Sequence, residues 1–81
     1  MLVMIGHSNY IERSLVAVVL DYDGNHPKKI RKSAEDSEVL INATSGHKAR
    51  SVIVLTTGQV VVSSLSTDAL KGRLDEGLDK G

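Results

Sequence analysis

Eighty-one residues and a formal net charge of zero bound this chain to one small domain that carries no general coat of positive potential. A domain of this length buries only about 60 to 65% of the surface its unfolded chain exposes, so the core is small. With no Cys, Trp or Phe and only Tyr10 and Tyr22, disulfides and thiolate chemistry are excluded, packing falls to Val, Leu, Ile and Ala, and oligomerisation is the expected staple.

In chain order, Leu2 to Ile5 reads as a first strand, closed by the turn Gly6-His7-Ser8-Asn9. Tyr10 to Arg13 reads either as the start of the next strand or as a separate bulged segment. Ser14 to Leu20 contains the unbroken run Leu-Val-Ala-Val-Val-Leu, which predicts a second strand, central and buried on both faces. The cluster DYDGNHP from Asp21 to Pro27 breaks the pattern, with His26 pushed away from helical geometry by the proline and Pro27 suited to open a helix. That helix runs from about Pro27 to Ser37 and shows a narrow apolar stripe, Ile30 and Ala34, against a wide charged face on which Lys28 and Lys32 lie together. Val39 to Asn42, Arg50 to Thr56 and Val60 to Ser64 read as strands three to five, with Thr57-Gly58-Gln59 as a compact hairpin loop. Ser66 or Thr67 caps a C-terminal helix carrying Leu70, Leu74 and Leu78 at spacing four. Gly72 and Gly77 each weaken it by roughly 1 kcal/mol relative to Ala, so it is expected to fray after Leu74, leaving a loose tail from about residue 75. The expected fold is α+β: one small, mostly antiparallel five-stranded sheet with an amphipathic helix after strand two and a short C-terminal helix, forming a single domain over residues 1–81.

The segment LINATSGHKARSVIVL, from Leu40 to Leu55, carries the strongest functional signal. Read locally it is a hairpin whose tip holds His47, Lys48 and Arg50 just after Gly46, with Asn42, Thr44 and Ser45 able to bond their own backbone around the bend. Such a tip can contact phosphate; the competing reading is a turn whose charges only keep it solvated. Between Gly24 and Arg50 six basic residues (Lys28, Lys29, Arg31, Lys32, Lys48, Arg50) face three acids (Glu35, Asp36, Glu38), whereas the last fifteen residues lean acidic. A monomer with that balance holds a polyanion weakly; an assembly that aligned the basic tips would bind multivalently.

Other chemistries find little support. Asp21, Asp23 and Asn25 imitate the start of a calcium loop, but His26 stands where the loop needs glycine and Lys32 where it needs the bidentate glutamate. His7, His26 and His47 are too widely spaced to form a local zinc motif. No Gly-x-Ser-x-Gly elbow and no Walker or dinucleotide loop is present, so the expectation is no enzyme, no metal, no cofactor and no small-molecule substrate. No stretch has the length of a membrane span, and MLVMIGHSN lacks the regions of a signal peptide, so the protein is expected to be soluble and cytoplasmic.

Four pieces of the chain together resemble the RemA-type family, small bacterial regulators of extracellular matrix and biofilm genes. They are the opening MIGHSN, the apolar strand ending at Val19, PKKIRKSAEDSEVLINAT, and SGHKARSVIVL. The likeness spans roughly Met4 to Leu74, without a gap in the second half and with a one-residue deletion near Glu12 in the first. It implies a DNA-binding transcription regulator that assembles as a ring-like homo-oligomer, with double-stranded DNA and further copies of itself as partners. By position, the family's adjacent arginines fall on His47 and Lys48, a third basic residue on Arg50, and an N-terminal arginine approximately on Arg13. Lysine offers phosphate a point charge and histidine is largely neutral at pH 7, where arginine would offer a two-bond fork. Lys28, Lys29, Arg31 and Lys32 form a second basic surface. The alternative is an oligomeric structural or protein-interaction module of the same fold that has lost DNA binding.

Overall fold

The computed structural model describes residues 1–79, with side-chain surroundings through residue 75. Its elements are β1 (Leu2–Met4), β2 (Tyr10–Glu12), a 3-10 turn (Arg13–Leu15), β3 (Val16–Asp21), α1 (Asn25–Asp36), β4 (Leu40–Asn42), β5 (Ser51–Leu55), β6 (Val60–Ser63) and α2 (Thr67–Asp79). The α+β class holds, but the single five-stranded sheet does not: β1 and β2 form a separate antiparallel ribbon, and the other four strands form a sheet in the order β3-β5-β6-β4. Tyr10–Glu12 is a strand in its own right. It pairs Val3 with Ile11 and leaves the 3-10 turn to carry the chain into β3.

The centre of the four-stranded sheet is the β5–β6 hairpin, whose strand residues are buried except for half-exposed Val54. Strands this apolar need a neighbour on each side and a layer on each face. One layer is α1, which sets Ala34 and Ile30 against Val52, Val60, Leu20 and Leu40. The other is the ribbon with α2, which brings Ile5, Ile11, Leu65 and Leu70 onto Ile53, Leu55 and Val61. The alternation of Val52 with Ile53, and of Val60 with Val61, therefore feeds two half-cores. Ser63 Oγ joins ribbon to sheet by donating to the Ile5 carbonyl at 2.7 Å and accepting from the Leu65 N–H at 3.0 Å.

Three sequence expectations are corrected. The Ser14 to Leu20 run forms an edge strand, β3, and not a central one; a register shift between Val16 and Val18 leaves Ala17 and Val18 exposed. The Leu40 to Leu55 segment is not a hairpin, because β4 pairs in parallel with β6 and β6 lies between β4 and β5. Its loop thus crosses the C-terminal end of β6, the arrangement that gives Val60, Val61 and Val62 a partner on each side. Finally, His26 is helical and Pro27 is the third residue of α1, with Gly24 (φ 122°) as the cap. The first turn of a helix has no intrahelical N–H bonds for proline to break, so Pro27 is tolerated there and is buried.

The Ala69 N–H bonds to Ser66 Oγ at 3.2 Å, which makes Ser66 the capping residue of α2. The helix is drawn through Asp79; the remainder of the tail expected to fray, Lys80 and Gly81, lies outside the described residues.

Candidate functional site

The loop between β4 and β5 is built by its own backbone chemistry. Asn42 Oδ1 accepts from both the N–H and the hydroxyl of buried Thr44, at 3.0 and 2.6 Å, which bends the chain as it leaves β4. The His47 N–H then bonds to the Thr44 carbonyl at 2.9 Å across Ser45 and Gly46, whose φ values of 51° and 83° are both left-handed. Positive φ at both central residues is the signature of a type I′ turn, and glycine is needed at Gly46 for its backbone alone, since nothing lies within 4 Å of where a Cβ would stand. The chain rejoins the sheet at Arg50, whose N–H donates to the Ser63 carbonyl at 2.9 Å and whose carbonyl accepts from the Tyr22 N–H at 3.0 Å. Backbone is thereby fixed on both sides while the side chains of His47, Lys48 and Arg50 stay exposed. Among the described residues none of the three is in a salt bridge.

A second turn braces the first. In the ribbon, Asn9 N–H bonds to the Gly6 carbonyl at 3.0 Å, and His7 and Ser8 between them take left-handed φ values of 53° and 63°. Non-glycine residues there carry strain of about 1–2 kcal/mol each. The strained turn lays the His7 ring on the His47 ring, with centroids 3.9 Å apart and planes 8° from parallel. Asn9 locks the contact by donating from Nδ2 to the Gly6 and Ala43 carbonyls, each at 3.0 Å. Two of the three histidines do meet, but as a stack. Parallel rings aim their nitrogen lone pairs in parallel planes, which does not converge on one metal ion, and no group of three metal-binding side chains occurs among the described residues.

The basic residues of α1 line several grooves, and Lys28 and Lys32 share one of them with Lys29. Lys28, Arg31 and Lys32 share with His47, Asn42 and Thr44 the lining of a cleft of about 450 Å³ between α1 and the loop. Lys29 lines a different groove beside His26, Ile30 and Ser33. Arg31 is half-buried: its guanidinium lies 3.8 Å over the Tyr22 ring, Nη2 donates to the Tyr22 carbonyl at 3.3 Å, and Nε is buried without a partner. Lys32 pairs loosely with Asp36 at 3.5 Å on the open face of the helix.

Arg13 stands apart from this group. It follows β2 and precedes β3, at the end of the sheet where the Thr56 N–H meets the Leu15 carbonyl, whereas Arg50 lies at the Asp21 end of β3. Within one chain the two are separated by about the length of that strand, ~17 Å. Arg13 Nε is engaged at 3.0 Å with the Leu74 carbonyl of α2. Sequence reasoning had found His47, Lys48 and Arg50 but not the contributions of His7 and Asn9, whose only local signal is their place in a turn.

The fold and this cation-bearing loop define a small α+β domain whose four-stranded sheet is bounded by β3 and β4, with a basic cleft between α1 and the loop. The chain belongs to the RemA-like family: the sequence model for extracellular matrix regulatory protein A-like proteins matches residues 2–74. Among its relatives, each bearing the name "putative regulatory protein", is one from Leptospira biflexa, 36% identical over 90% of this chain and 78% of its own length. A relative from Finegoldia magna is 34% identical over 94% of this chain and 92% of its own, and one from Nitratidesulfovibrio vulgaris 31% identical over 93% and 87%.

Proposed function

We infer that this chain is a regulatory protein that binds duplex DNA as a ring-like homo-oligomer, touching the phosphate backbone through the loop between β4 and β5. The observation that carries the reading is the exposed pair Lys48 and Arg50 on a loop whose backbone is tied to Thr44, Ser63 and Tyr22, with Lys28 and Lys32 close by on α1. Lys48 and Arg50, on a fixed backbone and in no salt bridge among the described residues, suit a polyanion, because little backbone order remains to be lost on contact. Lys48 and Arg50 serve as phosphate contacts, and His47, positioned by the His7 ring, adds a ring N–H donor. Arg13 joins this surface only through a neighbouring copy, since its own chain holds it at the far end of the sheet. The regulatory names of the relatives agree with this role.

Self-association is supported by what a lone chain leaves uncovered. Among the described residues no strand pairs with the outer edge of β3 or of β4, and Val18 on β3, Ile41 on β4, and Leu2 and Tyr10 on the ribbon are 42 to 66% exposed. Free edges with apolar side chains pair with other chains unless they are covered. The same observation favours the second reading, an interaction module that keeps the assembly without DNA. Electrophoretic shift of duplex DNA over a salt series, with the solution mass measured in parallel, separates the two: no shift at low salt by an intact oligomer leaves only the interaction module, and a monomer refutes both.

A further inference from the structure

The cleft between α1 and the β4–β5 loop is more recessed than a DNA-contacting rim requires. Its volume of about 450 Å³ falls within the range of small-molecule sites. Two exposed lysines, Lys28 and Lys32, join Arg31 in its lining with one carboxylate, Glu35, while Lys32 is also paired loosely with Asp36 outside the cleft. Leu40 and Val62 add apolar lining that a sugar-phosphate backbone would leave unused.

Arg31 sets one wall of the cleft. Its guanidinium is held in one plane by the Tyr22 ring and by the Nη2 bond to the Tyr22 carbonyl, while its Nε is closed off from solvent and so is not offered to a ligand. A planar guanidinium fixed in this way suits a phosphate or carboxylate oxygen through its remaining Nη hydrogens. Asn42 adds to the same lining an amide whose Oδ1 is already engaged twice by Thr44, so Nδ2 is its remaining donor group.

We propose that this cleft binds the phosphate group of a small phosphorylated ligand, with Arg31, Lys28 and Lys32 holding the phosphate and Leu40 and Val62 receiving the organic body. The site stands independently of DNA binding by Lys48 and Arg50. It also adjoins that surface through His47, which belongs to both, so an occupied cleft places negative charge beside the DNA-contacting loop.

The test follows backbone amide resonances of the intact protein during titration with phenyl phosphate, inorganic phosphate and phenol. Phenyl phosphate is expected to move the amides of residues 28–35 and 42–49 at millimolar concentration or below, more tightly than inorganic phosphate, with phenol causing no change there. The double variant Lys28→Gln/Lys32→Gln, at exposed positions that leave the core intact, should weaken this binding roughly ten-fold or more, whereas Lys71→Gln on α2 should not. Absence of shifts, binding no tighter than that of inorganic phosphate, or binding indifferent to the double variant overturns the proposal. Duplex DNA is then added to the phenyl phosphate complex. Displacement of the probe from these amides assigns the cleft to the nucleic-acid backbone and overturns the small-ligand site, while retention of the probe, with or without DNA binding, upholds it.

Discussion

Replacing Asn9 by alanine tests how the site is held. Its Nδ2 donates to the carbonyls of Gly6 and Ala43, and the second bond joins the ribbon to a loop 34 residues away in sequence. The Gly6 carbonyl keeps the Asn9 backbone N–H at 3.0 Å after the change, so the loss falls on Ala43, a buried residue whose acceptor is left short of a partner. One net hydrogen bond plus the penalty of an unmatched acceptor comes to about 2 kcal/mol. For a domain of this size that is a fall in Tm of roughly 8–16 °C. Urea unfolding at fixed protein concentration measures the free energy, since assembly would otherwise shift the midpoint. Amide exchange adds a local readout: Ala43 and His47 should lose protection in Asn9→Ala before the β5 and β6 amides do. A change below about 0.5 kcal/mol, or exchange that accelerates equally across the sheet, would show that Asn9 does not brace the loop.

Ile53→Ala removes a 1%-exposed side chain at the meeting of β5, the ribbon and α2, and should cost about 2–5 kcal/mol by urea titration with the m-value unchanged. Glu12 is held below its ordinary value of 4.5 by the Met1 ammonium and then by the Ser14 backbone N–H, so the stability it lends the ribbon is present above that value and disappears as pH falls through the lowered one. The acid limb of the stability profile should therefore flatten in Glu12→Gln, and an unchanged limb would remove Glu12 from the ribbon's support.

Local chemistry made much of the fold legible. The DYDGNHP breaker, the Ile30 and Ala34 stripe of α1, the Thr57-Gly58-Gln59 turn and the paired valine strands each announce themselves within a few residues. What could not be read was set by pairing at a distance. An apolar run signals burial but not what covers it, and β3 shows the ambiguity: Val19 and Leu20 pack inside, while Ala17 and Val18 face outward from an edge. Likewise the β4 strand had two apolar partners to choose from, and the choice of β6 over β5 turned an expected hairpin into a crossing loop. The candidate site divides in the same way. Lys48 and Arg50 stand beside a turn whose residues are diagnostic, whereas His7 and His47 meet only because two left-handed turns arrive at one end of the sheet.

DNA binding by Lys48 and Arg50 is tested most directly by the salt dependence of affinity for a duplex, measured with the oligomer's mass known. Log affinity should fall linearly with log salt, and Arg50→Ala should lower the slope by about 0.9 for each protomer seated on the DNA, weakening binding similarly across sequences. An intact oligomer that does not shift duplex DNA at low salt, or a slope that neither Arg50→Ala nor Lys48→Ala alters, would contradict the assignment of this loop.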